Sequence, residues 1–194
     1  MRVRPLAWLL AIALLAAPPL DAWLDGSMPR LLLVETPAWI ALGWMAVRGR
    51  GRRGAIDEAL GRWDPGGAAG LVFFLGVLAF WMLPRSVDLV GASRFANQAM
   101  HASLLAAGAA LGASLPRLSF IVRGALGIYA VSMTFSMGIL YTTYDALLCG
   151  TFDLFQQRAT GRLLLLLSPV VLVLVVGAGM RSLSRLPARA RGGE

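Results

Sequence analysis

The stretch RLLLLLSPVVLVLVVGAGM, residues 162–180, decides the fold class. It is rich in Leu and Val, and between Arg162 and Arg181 it holds no ionisable side chain. A helix of that length crosses a hydrocarbon core of ~30 Å at 1.5 Å per residue. Other apolar runs recur upstream, over about residues 5–24, 28–47, 68–83, 95–115 and 118–144. Hydrophobic residues make up 58% of the 194 positions and charged residues only 14%, which is a membrane composition rather than a soluble one. The expectation is therefore an all-α, polytopic bundle of about six transmembrane helices forming a single domain over residues 1–194. The rival reading of the first segment is a cleaved signal peptide, because a basic start precedes a short apolar run that ends at Pro18-Pro19.

Charge gives an orientation. With the amino terminus in the cytoplasm, Arg2, Arg4, the five arginines from Arg48 to Arg62, Arg117, Arg123 and the four from Arg181 onward fall inside. The inner side then carries a net +9 and the outer side −1, which the positive-inside rule selects, with both termini cytoplasmic. The overall charge of +8 has no aromatic-interleaved basic patch or nucleic-acid motif beside it, so no nucleic-acid partner is expected. Membrane lipids are the expected surroundings, and a bacterial inner membrane the expected location. Arg48 to Arg53 and a short amphipathic stretch over residues 55–64 form the main polar connection of the first half. Cys149 is the only cysteine, so no intrachain disulfide and no CxxC site can form.

Ionisable and soft side chains within the apolar segments are the candidate functional groups. Glu35 lies in Glu35-Thr36-Pro37 in the second segment, and an intramembrane carboxyl is a functional candidate by default. Pro37 also leaves the Leu33 carbonyl without its helical donor, for Thr36 or a water to satisfy. The single histidine, His101, sits ~9 Å inside the fourth segment, with Asn97 one turn before it on the same face. Met133 and Met137 share a face of the fifth segment at similar depth, and Tyr141 continues toward the outer surface. Met28, Met82 and Met100 also fall in the outer half, and Cys149 in the outer loop. Imidazole, thioether and thiolate suit Cu(I), so a periplasm-facing soft-metal site from His101, Met100, Met133, Met137 and Cys149 is the expectation. Asn97, Asp88, Glu35 and Tyr141 would shape or charge its access path. Against this stands the ordinary use of methionine as a gap-filler and of a lone histidine as a hydrogen-bonding neighbour. Gly108-x-x-x-Gly112 marks a face on which another helix can approach closely. No HExxH helix, GxSxG elbow or phosphate-binding glycine loop is present, and no enzyme activity is expected.

Several short features occur in an order that resembles the integral membrane CtaG-like family. They are Trp81-Met82-Leu83-Pro84, Asp88, the helix opening on Asn97-Gln98-Ala99-Met100-His101 and running to Leu115-Pro116, the Met133/Met137 helix, and Gln156-Gln157 before Gly161. The resemblance covers about residues 80–180. It implies a membrane factor that helps deliver copper to, or assemble, a haem-copper cytochrome c oxidase, with oxidase subunits or a periplasmic copper carrier as partners. The chain departs from the family pattern at Asn97, where relatives often have a first histidine of His-x-x-x-His, and at Phe155, where they have the acid of Asp-Gln-Gln. Two other functions fit the same residues: an accessory subunit held by Gly108/Gly112 and the arginine-rich tail, and a small copper or solute transporter with Glu35 in its path.

Overall fold

The structure, a computed structural model, describes residues 5–48, 62 and 64–184. Among these residues there are eight helices and no strand: α1 (Pro5–Leu15), α2 (Pro18–Asp25), α3 (Met28–Val47), α4 (Ala68–Trp81), α5 (Pro84–Ala92), α6 (Arg94–Ser114), α7 (Phe120–Thr143) and α8 (Leu154–Ser184). The amphipathic stretch expected over 55–64, apart from Arg62 and Asp64, and the arginine-rich tail beyond Ser184 lie outside the described residues.

Three helices are long and apolar enough to cross a membrane: Met28–Val47, Phe120–Thr143 and Leu154–Arg181. Two bent pairs, α1 with α2 and α4 with α5, raise that to as many as five if each pair counts as one span. Prolines make both bends. Pro18-Pro19 cannot continue α1 but fits the first turn of α2, and the axis turns by 57°. Pro84 opens α5 after Leu83 adopts an extended backbone, with a turn of 71°. The stretch from Pro84 to Arg94, between the third and fourth apolar runs, is thus largely helical. Ser93 ends it and caps α6, its Oγ accepting the Ala96 amide at 3.4 Å. Helix α8 also begins earlier than residue 162. Asp153 caps it by accepting the Gln156 amide at 2.7 Å, so Gln156 and Gln157 are helical rather than part of a polar loop.

Helix α6 is the centre of the first half, packed between α3 and α4. Glycines set the spacing, as Gly108-x-x-x-Gly112 leads one to expect. A Cβ on Gly108 would lie 2.1 Å from the Ile40 carbonyl oxygen, and one on Gly43 2.0 Å from that of Leu105, so the α3 and α6 backbones touch directly. Two tryptophans tie neighbouring helices. Trp8 donates to the Leu42 carbonyl at 2.9 Å, and Trp81 to Ser103 Oγ at 2.7 Å. Trp81 is therefore a buried interhelical donor rather than the surface anchor its place beside Phe80 suggests; Phe80 is the exposed one.

Helices α7 and α8 form a second pair, again closed at glycines: a Cβ on Gly161 would meet the Gly138 carbonyl oxygen at 2.8 Å. Gln156 joins the halves by accepting the Met28 amide at 3.1 Å. A shared core of Met28, Leu31, Trp39, Met100, Leu104, Tyr141 and Cys149 lies where they meet.

Candidate metal centre

The site begins with an irregularity in α3. Leu31–Glu35 forms a π-helical segment, in which the Thr36 amide reaches back five residues to the Leu31 carbonyl. The Thr36 hydroxyl donates to that same oxygen at 3.0 Å, so it serves Leu31 rather than Leu33. Pro37 follows directly and has no amide to continue the regular ladder. The wider turn changes the helical phase over this segment. Glu35 lies at its end, with no exposed surface, against α6.

Five further residues gather around it. His101 Nε2 is hydrogen-bonded to Glu35 Oε1 and lies 3.6 Å from Asp21 Oδ1. Asn97, one turn before His101, donates through Nδ2 to Asp21 Oδ2 at 3.2 Å and to Asp25 Oδ2 at 2.7 Å. Asp21 and Asp25 are themselves one turn apart on α2, so two i, i+4 pairs from two helices face each other. Trp39 stacks on the His101 ring at 4.6 Å between centroids and closes one side. Asn97 and His101 are both buried, whereas the Asp21 side chain keeps 26% of its surface exposed and marks the open side.

Charge balance shapes what this arrangement can do. If Asp21, Asp25 and Glu35 are all ionised, even a protonated His101 leaves two negative charges in excess. Buried charge of that kind needs protons or a cation to offset it. Hydrogen bonding within the protein does not complete the site, since Asp21 Oδ1, Asp25 Oδ1 and Glu35 Oε2 are buried without hydrogen-bond partners. One donor atom each from Asp21, Glu35 and His101 lie within 4.8 Å of one another. Metal bonds of ~2.1 Å span donors up to ~4.2 Å apart, so small side-chain shifts would close the three on one ion. The residues fit a transition-metal cation.

The other residues singled out from the sequence fall elsewhere. Met100 is buried in the same core as Tyr141, and Met137 packs on the edge of that core. Met133 and Met137 belong to the α7–α8 pair, whereas His101 faces α2 and α3. Cys149 is not among the donors gathered at His101. It is buried in the loop between α7 and α8, and burial, with the Asp88 charge nearby, pushes its thiol up to about 11. Asp88 is the latch of that loop, accepting the Gly150 amide at 3.1 Å, the Thr151 amide at 2.9 Å and the Thr151 hydroxyl at 2.8 Å. Gln157 holds the same loop from inside, taking the Leu148 amide and donating to the Tyr144 and Ala146 carbonyls. Asp21 and Asp25 were not among the expected site residues. Their i, i+4 spacing, matching that of Asn97 and His101, was the available signal.

An all-helical protein with a buried histidine–carboxylate cluster is the class that fold and site define. Compared with protein-family models, with curated proteins and with solved structures, the chain matches none.

Proposed function

We propose that the chain is a multi-pass membrane factor that binds a transition-metal cation at Asp21, Glu35 and His101 and passes it to a membrane complex. The observation that carries this reading is the convergence of three donor atoms within 4.8 Å around a fully buried glutamate whose second oxygen has no partner. The half-open Asp21 side favours transfer over storage. The CtaG-like resemblance supplies copper as the cargo and a haem-copper cytochrome c oxidase as the recipient. The arginine distribution supports six membrane segments with both termini in the cytoplasm of a bacterium, which puts the cluster near the periplasmic face.

Metal content and binding isotherms of the purified chain in nanodiscs test this. The wild type is expected to bind about one ion, and His101→Ala or Glu35→Gln to weaken it by at least about tenfold, since each removes a ligand. A wild-type protein that takes up no stoichiometric metal would sink the proposal. The direct hydrogen bond between His101 and Glu35 favours a second reading, a structural polar pair in an accessory subunit. That reading expects no metal, and a loss of ~3–5 kcal/mol in stability when one partner is removed.

A further inference from the structure

We infer that Asp25 is a fourth ligand of this centre, that Asn97 is the residue that positions it, and that the cargo is a divalent cation rather than Cu(I). This rests on the metal-handling reading above and names the class of ion. Asp25 lies one turn from Asp21 on α2 and is held by the same Asn97 amide, beside the three donors already gathered at Glu35. Asp25 and Glu35 each keep one buried oxygen that no protein donor satisfies. Buried carboxylate oxygens without donors need a proton or a cation to offset them, and a bound cation would serve both.

Asn97 accounts for the alignment. Its single Nδ2 group donates to Asp21 Oδ2 and Asp25 Oδ2 together, which occupies one oxygen of each carboxylate and leaves Oδ1 of each unpartnered. Asp21 Oδ1 then lies 3.6 Å from His101 Nε2. A helix bearing two acids one turn apart is by itself an ordinary surface feature. Here an amide from another helix clamps both, beside a glutamate with no exposed surface. An outer partner that holds a ligand in orientation is a common device of metal sites.

The resulting donor set is one imidazole nitrogen and three carboxylate oxygens. Carboxylates suit hard or borderline divalent ions such as Mn²⁺ and Zn²⁺, and among first-row divalent ions Cu²⁺ binds such sites most tightly. Cu(I) prefers thioether and thiolate, and the one cysteine lies outside the cluster. Asn97 binds two carboxylates rather than a metal.

The test uses the full chain in nanodiscs with ZnCl₂, CoCl₂ and chelator-buffered Cu(I) as probes. Zn²⁺ is expected to bind at least about tenfold more tightly than Cu(I). X-ray absorption of the zinc-loaded wild type should show nitrogen and oxygen neighbours only, a result that does not depend on any variant folding. Asp25→Asn should weaken Zn²⁺ at least about tenfold and change the visible band of bound Co²⁺, with Asp25→Glu restoring both. Asn97→Ala should weaken Zn²⁺ while keeping the one-nitrogen ligation. Preference for Cu(I), sulfur neighbours at the zinc, or an Asp25→Asn protein with unchanged affinity and cobalt band would overturn the inference. Binding of no ion at all would instead remove the metal-handling reading beneath it.

Discussion

Both helix pairs, α3 with α6 and α7 with α8, close on glycines, yet only the first carries a polar cluster. The difference lies in how each pair satisfies its polar side chains. On α7 the hydroxyls of Thr134, Thr142 and Thr143 donate to carbonyls of their own helix, at 2.8 Å from Ala130, 2.8 Å from Gly138 and 2.9 Å from Ile139. Such groups need nothing from a neighbour. On α6, Asn97 and His101 have side chains too long and too polar to be satisfied that way, and their partners come from α2 and α3. Close packing is common to both regions. On α8, Gln156 and Gln157 also look outside their helix but meet only backbone amides and carbonyls; a site arises where such side chains meet one another.

The strongest test of that comparison is steric. Gly108→Leu would drive a side chain into the Ile40 backbone, which cannot yield as a flexible side chain would. We expect it to cost at least about 3 kcal/mol and abolish metal binding, read as lost thermal stability and lost Zn²⁺ uptake. Gly161→Leu collides with the Gly138 carbonyl and with Thr142 in the second pair, and should destabilise the protein while leaving ion binding at the Glu35–His101 cluster. A Cβ on Gly124 would meet nothing within 4 Å, so Gly124→Leu serves as the control. Equal loss of ion binding in the Gly108 and Gly161 variants would show that the two pairs fold as one unit.

A second test addresses the loop that Asp88 of α5 ties down between α7 and α8. Burial first, and the Asp88 charge second, hold the Cys149 thiol at about 11, so at pH 8 only about one molecule in a thousand carries the reactive thiolate. Maleimide labelling at that pH should run at least about a hundredfold slower than for a free thiol. Asp88→Ala removes both the nearby charge and the acceptor of three loop hydrogen bonds, and should speed labelling about tenfold or more. Unchanged labelling would mean that other contacts alone hold the loop closed.

Much of this architecture was legible because apolar length and glycine spacing act locally. Met28–Val47 coincides with its expected segment, and Gly108 and Gly112 face α3 at Ile40 and Trp44. The extent of α8 was not, since Gln156 and Gln157 look like loop residues until Asp153 is recognised as their cap. Of the site, Glu35, Asn97 and His101 stood out as polar groups in apolar runs, but expected at the margin were Glu35 and Asn97, which lie at its centre. The π-helical segment alters the helical phase between Leu31 and Thr36, so a regular 3.6-residue projection does not give the direction of Glu35. Asp21 and Asp25 were hidden by the bend at Pro18-Pro19, which turns the end of the first apolar run into a separate short helix facing the cluster.

The smallest expected effect concerns how the two regions start their helices. Helix α7 opens on Ser119, whose hydroxyl accepts the Val122 amide at 3.3 Å and is indifferent to pH. Helix α4 opens after Gly67, and a carboxylate just upstream, Asp64, accepts the Gly70 amide of its first turn at 3.1 Å. That bond, followed by those from Ala69 and Ala68 and the charge of Arg117, holds the Asp64 carboxyl below its usual 3.8. Because the folded value is depressed, the stabilisation is present above the unfolded value and is lost as pH falls through the folded one. Amide exchange between pH 5 and about pH 2 should therefore show Gly70 losing protection while Val122 keeps its own. Asp64→Asn should make the Gly70 amide insensitive to acid. If Gly70 and Val122 lose protection together, acid acts on the whole bundle rather than on this one cap.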